Sequence, residues 1–219
     1  LVGPIVAGFA TMNGAYVPKE GQPEEDPALA SRPFSIHRRG FVVAEGAGCI
    51  ILASEAFARA HGLAHRIAIA GWGMTSDAHH FVAPRLETVR RCISESIEQA
   101  GITPVAVDAV NAHAASTRVG DKVEYDALQA VFGPKLPPVT ANKSLFGHAM
   151  GASSAIESIF AFEGMLRGVL PPTINYQPDP QIPLDCVAPE CRAVDQTYVL
   201  KSAFGFGGCN SCIVFERLT

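Results

Sequence analysis

The sequence has 219 residues, of which 48% are hydrophobic and 17% charged, and it carries a formal charge of −4. Such a composition suits a globular domain with a sizeable core and excludes a disordered tail. The acidic balance, without a Lys/Arg cluster, argues against nucleic acid as the main partner. No apolar run approaches the ~20 residues that span a bilayer, so no membrane partner is expected.

The cysteines indicate a reducing compartment. They are scattered, mostly in apolar patterns, and we interpret them as reduced core thiols of a cytoplasmic protein. The pair in CVAPEC has the residue type of a zinc half-site, but no second CxxC or HxxxH motif completes it, so no metal site is expected. The chain begins at Leu1 without a signal-like segment, and we expect it to be trimmed, processed or a piece of something longer. The six cysteines are Cys49, Cys92, Cys186, Cys191, Cys209 and Cys212.

The first third of the chain is predicted to be a loop followed by strands. Residues 13–34 are rich in Gly, Pro and acids, which is typical of a surface loop. The run FVVAEGAGCIILAS predicts strand, bent at its glycine cluster. A short helix is expected from about Glu55 to Ala60, with Gly62 as its stop. RIAIAGWGM then predicts another strand.

The rest of the chain alternates between helix and strand patterns. Apolar residues at helical spacing predict a helix over 85–100 that ends at Gly101. AVDAVNAH and PPVTANK read as strands on either side of a second helix, and GASSAIESIFAFEGML predicts a helix that is buried on nearly every face. A Pro-rich connector leads to the strands YVLKSAFG and SCIVFERL. This order predicts an α/β layered sheet with a buried central helix, as one domain or one half of a larger one.

Two histidines stand where predicted strands end. His113 lies in VNAHAASTRVGD and His148 in ANKSLFGHAMGAS. Open α/β sheets bind ligands just beyond the carboxyl ends of their strands. A single histidine in such a place is more often a structural hydrogen-bonder than a catalyst. The pair, with Lys143 five residues before the second histidine, favours a shared catalytic site.

A glycine-rich corner and a buried acid complete the candidate chemistry. GFGGCN lies between two strands, where its backbone can bend sharply and aim amides at an oxyanion, although a plain β-turn has the same composition. It is not a dinucleotide loop, because it precedes a strand and lacks the GxGxxG spacing. Glu157 falls inside the buried helix, where a carboxylate must be paired. We interpret Glu157 as a structural tie or a brace for a catalytic loop.

Together these motifs resemble the C-terminal half of the β-ketoacyl-acyl carrier protein synthases, closest to the KAS II-like elongating type. The resemblance rests on SRPFSIHRRGFVVAEGAG, SDAHH, VNAHAASTRVGD, NKSLFGHAMGAS, PPTIN and SAFGFGGCN, in that order. It implies a thiolase-like layered α/β/α/β/α fold, of which residues 1–219 are the C-terminal half. The half that bears the nucleophilic cysteine is then absent from this chain. No bound cofactor is implied, since the substrates are carried on the phosphopantetheine of acyl carrier protein.

The resemblance also implies roles for particular residues. His113 and His148 correspond to the two histidines of a Cys-His-His triad, whose neutral N–H groups would hold the malonyl thioester oxygen during decarboxylation. Lys143 would support the electrostatics of the site. Phe206 corresponds to a gating phenylalanine whose N–H would join the oxyanion hole. The flanking glycines are Gly205 and Gly207, and the supporting acids are Asp121, Glu124 and Glu157.

Several positions depart from the family pattern. The usual HGTST motif reads HAAST here, so Ala115 replaces a threonine that hydrogen-bonds phosphopantetheine in relatives, while Thr117 is kept. Val82 occupies the place of a second such threonine, near His80. We therefore expect a weakened or rearranged pantetheine contact that involves Ser116 and Thr117. Cys209 replaces the threonine of GFGGTN, and we interpret it as a buried thiol rather than a substitute nucleophile.

Three functions remain open at this point. The leading hypothesis is a condensing enzyme that works with acyl carrier protein and with its cysteine-bearing half, from the same protein or a separate chain, as a homodimer or heterodimer of complete units. The second is a non-catalytic partner, either a subunit like a chain-length factor or a scaffold that pairs with a ketosynthase, although chain-length factors generally lose triad residues. The third is an acyl-thioester binding module without catalysis. His148 in place of an asparagine disfavours a thiolase or a priming synthase. We expect the isolated chain to be inactive and poorly stable.

Overall fold

The computed structural model describes residues 2–18 and 26–218, and a five-stranded mixed sheet organises them. The strands are β1 (Ile67–Ser76), β2 (Ala109–Asn111), β3 (Val139–Thr140), β6 (Tyr198–Gly205) and β7 (Cys209–Arg217), with β4 (Val169–Leu170) and β5 (Arg192–Ala193) forming a separate pair. The helices are α1 (Gly3–Thr11), α2 (Glu55–Ala60), α3 (Leu86–Gln99), α4 (Arg118–Phe132), α5 (Lys143–Phe146) and α6 (Ser153–Arg167).

The sheet order places the ends of the central strands side by side. The order is β1-β7-β6-β2-β3, with β2 parallel to both β6 and β3, and with β7 antiparallel to both β1 and β6. Asn111 at the end of β2 pairs with Lys201 on one side and Thr140 on the other. The segments that leave β2 and β3 therefore begin at the same edge of the sheet.

Helices α3 and α4 cover one face of this sheet and form the main core with it. Two glycines of β1 allow the close approach of α3, because a Cβ atom at Gly71 or Gly73 would overlap the backbone of that helix. The apolar faces of the helices meet the inward residues of β2, β6 and β7. Fully buried members of this core include Val89, Ile93, Val110, Leu128, Leu200 and Val214.

The element order predicted from the sequence is confirmed in most places. Helices α2, α3 and α4 lie where the periodicity predicts them, and Gly62 and Gly101 adopt positive φ angles of 61° and 69° just past α2 and α3. The hairpin of β6 and β7 is also confirmed. The strand predicted over AVDAVNAH is shorter than expected, because 104–106 form a turn of 3₁₀ helix and only Ala109–Asn111 pair in the sheet.

The strand predicted over FVVAEGAGCIILAS is wrong for most of its length. Phe41 and Val43 form isolated bridges with Ala15 and His148, but 44–54 pair with no strand among the described residues. Ile51 is 91% exposed and Leu52 is 72% exposed. A strand forms only where a neighbouring strand supplies a ladder of hydrogen-bond partners, and the described part of the chain places no strand beside 44–54.

Three burial predictions also need correction. The loop over 13–34 is not all at the surface, since Phe34 is fully buried and its amide donates to Asp121; residues 19–25 lie outside the described residues. Helix α6 is buried on one face only, and Ile159 on its other face is 36% exposed. Only three of the cysteines are core thiols, whereas Cys49, Cys191 and Cys209 are exposed.

In residues 2–18 and 26–218, no helix has both the length and the apolar character that crossing a bilayer requires.

The exposed apolar segment 44–54 leads to a prediction about the isolated chain. Replacing Ile51 and Leu52 together with serine should reduce its self-association, because contiguous exposed apolar surface drives association. Light scattering and dye binding on the 219-residue chain measure this effect. The matched control is Val105→Ser, which removes an apolar residue that is 92% exposed elsewhere on the surface. Equal association of the parent and both variants would contradict the prediction.

Candidate active site

The chain around His113 is fixed by a carboxylate from α4. The His113 N–H donates to Glu124 Oε1 at 2.9 Å and to Ser202 Oγ at 3.1 Å, and the Ala114 N–H donates to Glu124 Oε2 at 2.7 Å. Ser202 on β6 in turn donates to Glu124 Oε1 at 2.6 Å. Glu124 therefore receives the amides that emerge from β2, just where a histidine ring must be held in place.

The backbone of His148 is held by the segment around Val42 and Ala44 rather than by the end of a strand. It follows α5 rather than a strand, so the prediction that it closes a strand is wrong, although β3 ends only eight residues earlier. The His148 N–H donates to the Val42 carbonyl at 2.7 Å, and its own carbonyl accepts from Ala44 N at 3.0 Å. Gly147 makes this contact possible, because at φ 76° it turns the chain and any Cβ there would meet Ala44 and Val42.

The two imidazoles lie side by side, with ring centroids 5.5 Å apart and planes at 79°. The backbone amide of Met150 donates to His148 Nδ1 at 3.1 Å, so this nitrogen is an acceptor and the proton of the neutral ring is on Nε2. Lys143 Nζ lies 3.5 Å from His113 Nδ1, which assigns the same tautomer to His113. Both rings thus have an Nε2–H group free to donate to a bound oxygen.

Both imidazoles are held in the neutral form. Burial lowers the pKa of His148 to about 3, and the nearby Lys143 charge acts in the same direction. Burial and then Lys143 also hold the pKa of His113 well below its ordinary value. Removal from water disfavours an imidazolium, and neighbouring cations disfavour it further. The pair therefore functions as two hydrogen-bond donors near neutral pH rather than as acids that start protonated.

A buried carboxylate between two lysines lies behind the histidines. Lys143 Nζ contacts Glu157 Oε1 at 2.5 Å and the His113 carbonyl at 2.5 Å, and Lys201 Nζ lies 2.7 Å from Glu157 Oε2. Their side chains are at most 3% exposed. The contact between Lys201 and Oε2 is the second ion pair of this carboxylate. The sequence interpretation of Glu157 as a paired tie agrees with this arrangement.

The charges of this cluster depend on one another. Burial raises the pKa of Glu157, but Lys201 and Lys143 outweigh burial and hold this pKa below its ordinary value. Burial lowers the pKa of Lys143, and Glu157 opposes that shift. The sequence reasoning missed Lys201. The available signal was a lysine in the middle of YVLKSAFG, a mostly apolar strand in which the residues on either side of the lysine are buried.

Phe206 is part of an aromatic cluster rather than a direct neighbour of the histidine rings. Its ring centroid lies 6.0 Å from those of Phe9 and Phe81 and 6.2 Å from that of Phe41. Phe41 in turn packs edge-on against His148 at 5.3 Å. The sequence did not single out Phe41, which connects the predicted gate to the histidine.

The glycines beside Phe206 form a turn between β6 and β7. The Gly207 N–H donates to the Phe81 carbonyl at 2.8 Å, so this amide is committed to a neighbouring loop and not to an oxyanion. Gly208 N–H closes the turn on the Gly205 carbonyl at 3.2 Å. Cys209 lies at the start of β7 and is exposed, so the expectation that its thiol is buried is wrong. A residue at a hairpin turn has few neighbours to cover it.

The loop after His113 is a tightly bonded scaffold. Ser116 is fully buried, and its hydroxyl accepts from Arg32 N at 3.0 Å. Thr117 caps α4 by accepting from Gly120 N at 3.2 Å, and its own amide donates to Asp121 at 3.0 Å. Burial raises the pKa of Asp121 to about 7. The hydroxyls of Ser116 and Thr117 therefore have structural partners already, while Ala115 is buried close to Phe41.

His80 and Val82, the other predicted substrate contacts, lie in a loop beside the turn between β6 and β7, where the Phe81 carbonyl accepts from Gly207. His80 is exposed, and its Nδ1 accepts the amides of Val82 and Ala83 at 3.0 Å each. Val82 is half-buried.

No group of three His, Cys, Asp or Glu side chains in the described part of the chain could hold a metal ion. Burial also raises the pKa of Cys186 to about 12, which disfavours the thiolate that zinc requires.

Comparison with known proteins assigns the family. Residues 67–177 match the family described as "Beta-ketoacyl synthase, C-terminal domain", a range that contains both histidines, Lys143 and Glu157. The chain belongs to the β-ketoacyl synthases. It is 40% identical to 3-oxoacyl-(acyl-carrier-protein) synthase 2 of Mycobacterium tuberculosis over 97% of this chain and 51% of that protein. It is 39% identical to the enzyme of the same name from Staphylococcus aureus, with the same shares covered. The chain thus spans about half the length of the curated relatives it matches.

Solved ketosynthase structures have the same fold. A β-ketoacyl synthase from Burkholderia phymatum superposes with a TM-score of 0.93 at 36% identity, over 100% of this chain and 53% of that one. The ishigamide ketosynthase/chain length factor superposes with a TM-score of 0.91 at 31% identity, over 100% and 52%. The thiolase-like layered fold predicted from the sequence is confirmed, and this β-ketoacyl synthase chain corresponds to its C-terminal half.

The buried imidazoles predict a titration result. His113 and His148 should remain neutral from pH 8 down to pH 5, because burial and Lys143 oppose their protonation. The stability that their neutral form contributes is present above about pH 6.5, the unfolded value, and is lost as pH falls toward the lower folded pKa values. Nuclear magnetic resonance of labelled histidine measures this, with a histidine peptide as reference. Midpoints near that of the peptide would contradict the prediction.

Glu124 gives a stability prediction. Glu124→Gln should lower the free energy of unfolding by about 2 kcal/mol, because an amide nitrogen replaces one oxygen that accepts buried donors. Chemical denaturation measures the change. The control is Glu95→Gln on α3, whose side chain is 45% exposed and pairs with Arg91 at the surface. An equal effect of both substitutions would argue against the role given to Glu124.

Proposed function

We propose that this chain is the histidine-bearing half of an enzyme that condenses an acyl thioester with malonyl-acyl carrier protein in fatty acid or polyketide elongation. The observation that carries the proposal is the pair of neutral imidazoles, 5.5 Å apart, each with Nε2–H free to donate. Two such donors suit one thioester oxygen that becomes negatively charged during reaction. Residues 1–219 act in this proposal with a half that supplies the nucleophilic cysteine.

The proposed chemistry proceeds in two linked steps. The malonyl C–C bond to the carboxylate breaks, carbon dioxide leaves, and the electron pair passes into an enolate whose oxygen accepts from His113 and His148. The enolate carbon then attacks the carbonyl of the acyl group on the cysteine. The new C–C bond forms as the C–S bond breaks, and the cysteine leaves as thiolate. Lys143 holds the His113 carbonyl and faces its ring, so it keeps that donor oriented.

The surrounding residues have supporting roles in this proposal. Phe206 gates the acyl side, because its ring lies in an aromatic cluster that reaches His148 through Phe41. The Phe206 amide joins the oxyanion hole, whereas Gly207 serves the turn. Thr117, Val82 and His80 lie in the two loops that would meet phosphopantetheine. The proposed partner is acyl carrier protein. A similar structure at 32% identity is described as a type II PKS acyl-carrier protein in complex with its ketosynthase.

The second candidate is a non-catalytic subunit that pairs with a ketosynthase. One similar structure is described as a ketosynthase/chain length factor. Against this candidate, both histidines and Lys143 are present and arranged with free Nε2–H groups. A subunit without catalysis has no need of two buried neutral imidazoles. The catalytic proposal therefore has the stronger support.

Release of carbon dioxide tests the proposal. The chain, assembled with its cysteine-bearing half, should decarboxylate malonyl-acyl carrier protein and form the condensed product. His113→Ala and His148→Ala should each slow decarboxylation by about a hundredfold or more, because each removes one donor to the enolate oxygen. The matched control is His61→Ala, a surface histidine at the end of α2, which should leave the rate unchanged.

One further variant tests where the nucleophile lies, and one further result decides between the two candidate functions. Cys209→Ser should leave condensation intact, since the proposal assigns the nucleophile to the other half. An assembly that binds both acyl and malonyl carrier proteins but never releases carbon dioxide would overturn the catalytic proposal and favour the non-catalytic subunit.

A further inference from the structure

Strand β6 supports the histidines from both of its faces. Ser202 points toward α4, where it contacts Glu124 and the His113 amide. Lys201, one residue earlier, points to the opposite face, as neighbours on a strand must, and reaches Glu157 on α6. Lys201 is 3% exposed, and its Nζ also donates to the Ser202 carbonyl. A lysine so deeply buried costs desolvation energy that only a specific partner offsets.

The sum of the charges in the buried cluster distinguishes Lys201 from an ordinary ion-pair partner. Glu157 is already paired with Lys143 through Oε1, and those two charges sum to zero. Lys201 adds a second cation on Oε2, so two cations share one anion. The buried cluster of Lys143, Glu157 and Lys201 therefore carries one uncompensated positive charge. A structural tie would need only one lysine.

We propose that Lys201 is a positioning residue of the site: by sharing Glu157 with Lys143, it leaves a net positive charge behind the two imidazoles and so keeps them neutral and able to donate. This inference rests on the proposed function and identifies Lys201 as the source of the charge that keeps the two histidines of that site able to donate. The same positive charge attracts the malonyl carboxylate and stabilises the enolate that replaces it.

The charged groups that face the two histidines come from four elements. They are Lys143 on α5, Glu157 on α6, Lys201 on β6 and Glu124 on α4, which binds the backbone beside His113. After burial and Lys143, the Lys201 charge also lowers the pKa of both imidazoles. Glu157 acts in the opposite direction at His148, where its charge raises the pKa, but Lys143 has the larger effect and Lys201 adds to it. Glu124 is engaged by two amides and a hydroxyl.

The test varies the net charge of the cluster while keeping its shape. Lys201→Met lowers the charge from +1 to 0, so the pH at which decarboxylation falls to half should rise by about one pH unit. Lys201→Arg keeps the charge and should keep the parent profile. In the double variant Lys201→Met, Glu157→Gln, the lone Lys143 restores a charge of +1. Its pH profile should return toward that of the parent although both side chains have been changed.

The matched control is Lys122→Met. Lys122 pairs with Asp126 on α4 and is about one-third exposed, so its loss removes an equal charge away from the site. It should leave the pH profile unchanged. If Lys201→Met does not fold, the double variant is compared with Glu157→Gln, where the cluster carries +2. The half-activity pH of the double variant should then lie about one unit above that of Glu157→Gln.

Histidine titration on the same preparations separates this inference from the proposed function. Lys201→Met should raise the titration midpoints of His113 and His148, and the double variant should reverse the rise, whether or not carbon dioxide is released. A parent enzyme without decarboxylation but with these midpoint shifts would overturn the proposed function alone. If Lys201→Met leaves the midpoints unchanged, or the double variant is further from the parent than the single one, Lys201 is merely structural and the inference fails.

Discussion

The arrangement of this chain depends on one buried carboxylate, Glu157, which holds two lysines that approach it from different elements. Lys143 comes from α5 and Lys201 from β6, while Glu157 itself lies on α6. Through Lys143 the cluster also reaches the carbonyl of His113, so four segments far apart in sequence meet at one point. Removing Glu157 leaves two ammonium groups in the interior without their partner, and breaking a buried ion pair in this way costs about 3–5 kcal/mol.

A cluster of this kind is a poor means of gaining stability. Desolvation of buried ions consumes most of what their attraction returns, and apolar side chains of similar volume often serve as well. Its value lies in what it does to its neighbours. A positive field in a water-poor place keeps imidazoles neutral and favours an anion at the same spot. In the proposed function, the energy that folding spends on this cluster prepares the site before any substrate arrives.

The hydrogen bonds around the histidines do a complementary task. Glu124 gathers the amides at the end of β2, and Met150 donates to His148 Nδ1, so the chain fixes both the position and the tautomer. Burial and the Lys143 charge keep the two imidazoles neutral, whereas these hydrogen bonds set the direction of the rings. Beside the polar cluster, Phe41 packs edge-on against His148, and Phe206 lies next to Phe41 in the same group of aromatic rings.

The sequence by itself determined the order of elements, the family and the two histidines with Lys143. Helical spacing and glycine stops define α3 and α4 because their apolar faces must be covered, and local motifs mark the corners of the sheet. Tertiary structure alone decided the rest. Lys201 acts at a distance of 44 residues from Glu157, and no local pattern shows which buried charge a strand lysine will meet. The 44–54 segment, strand-like in composition, pairs with no strand among the described residues, since pairing depends on a neighbour and not on propensity.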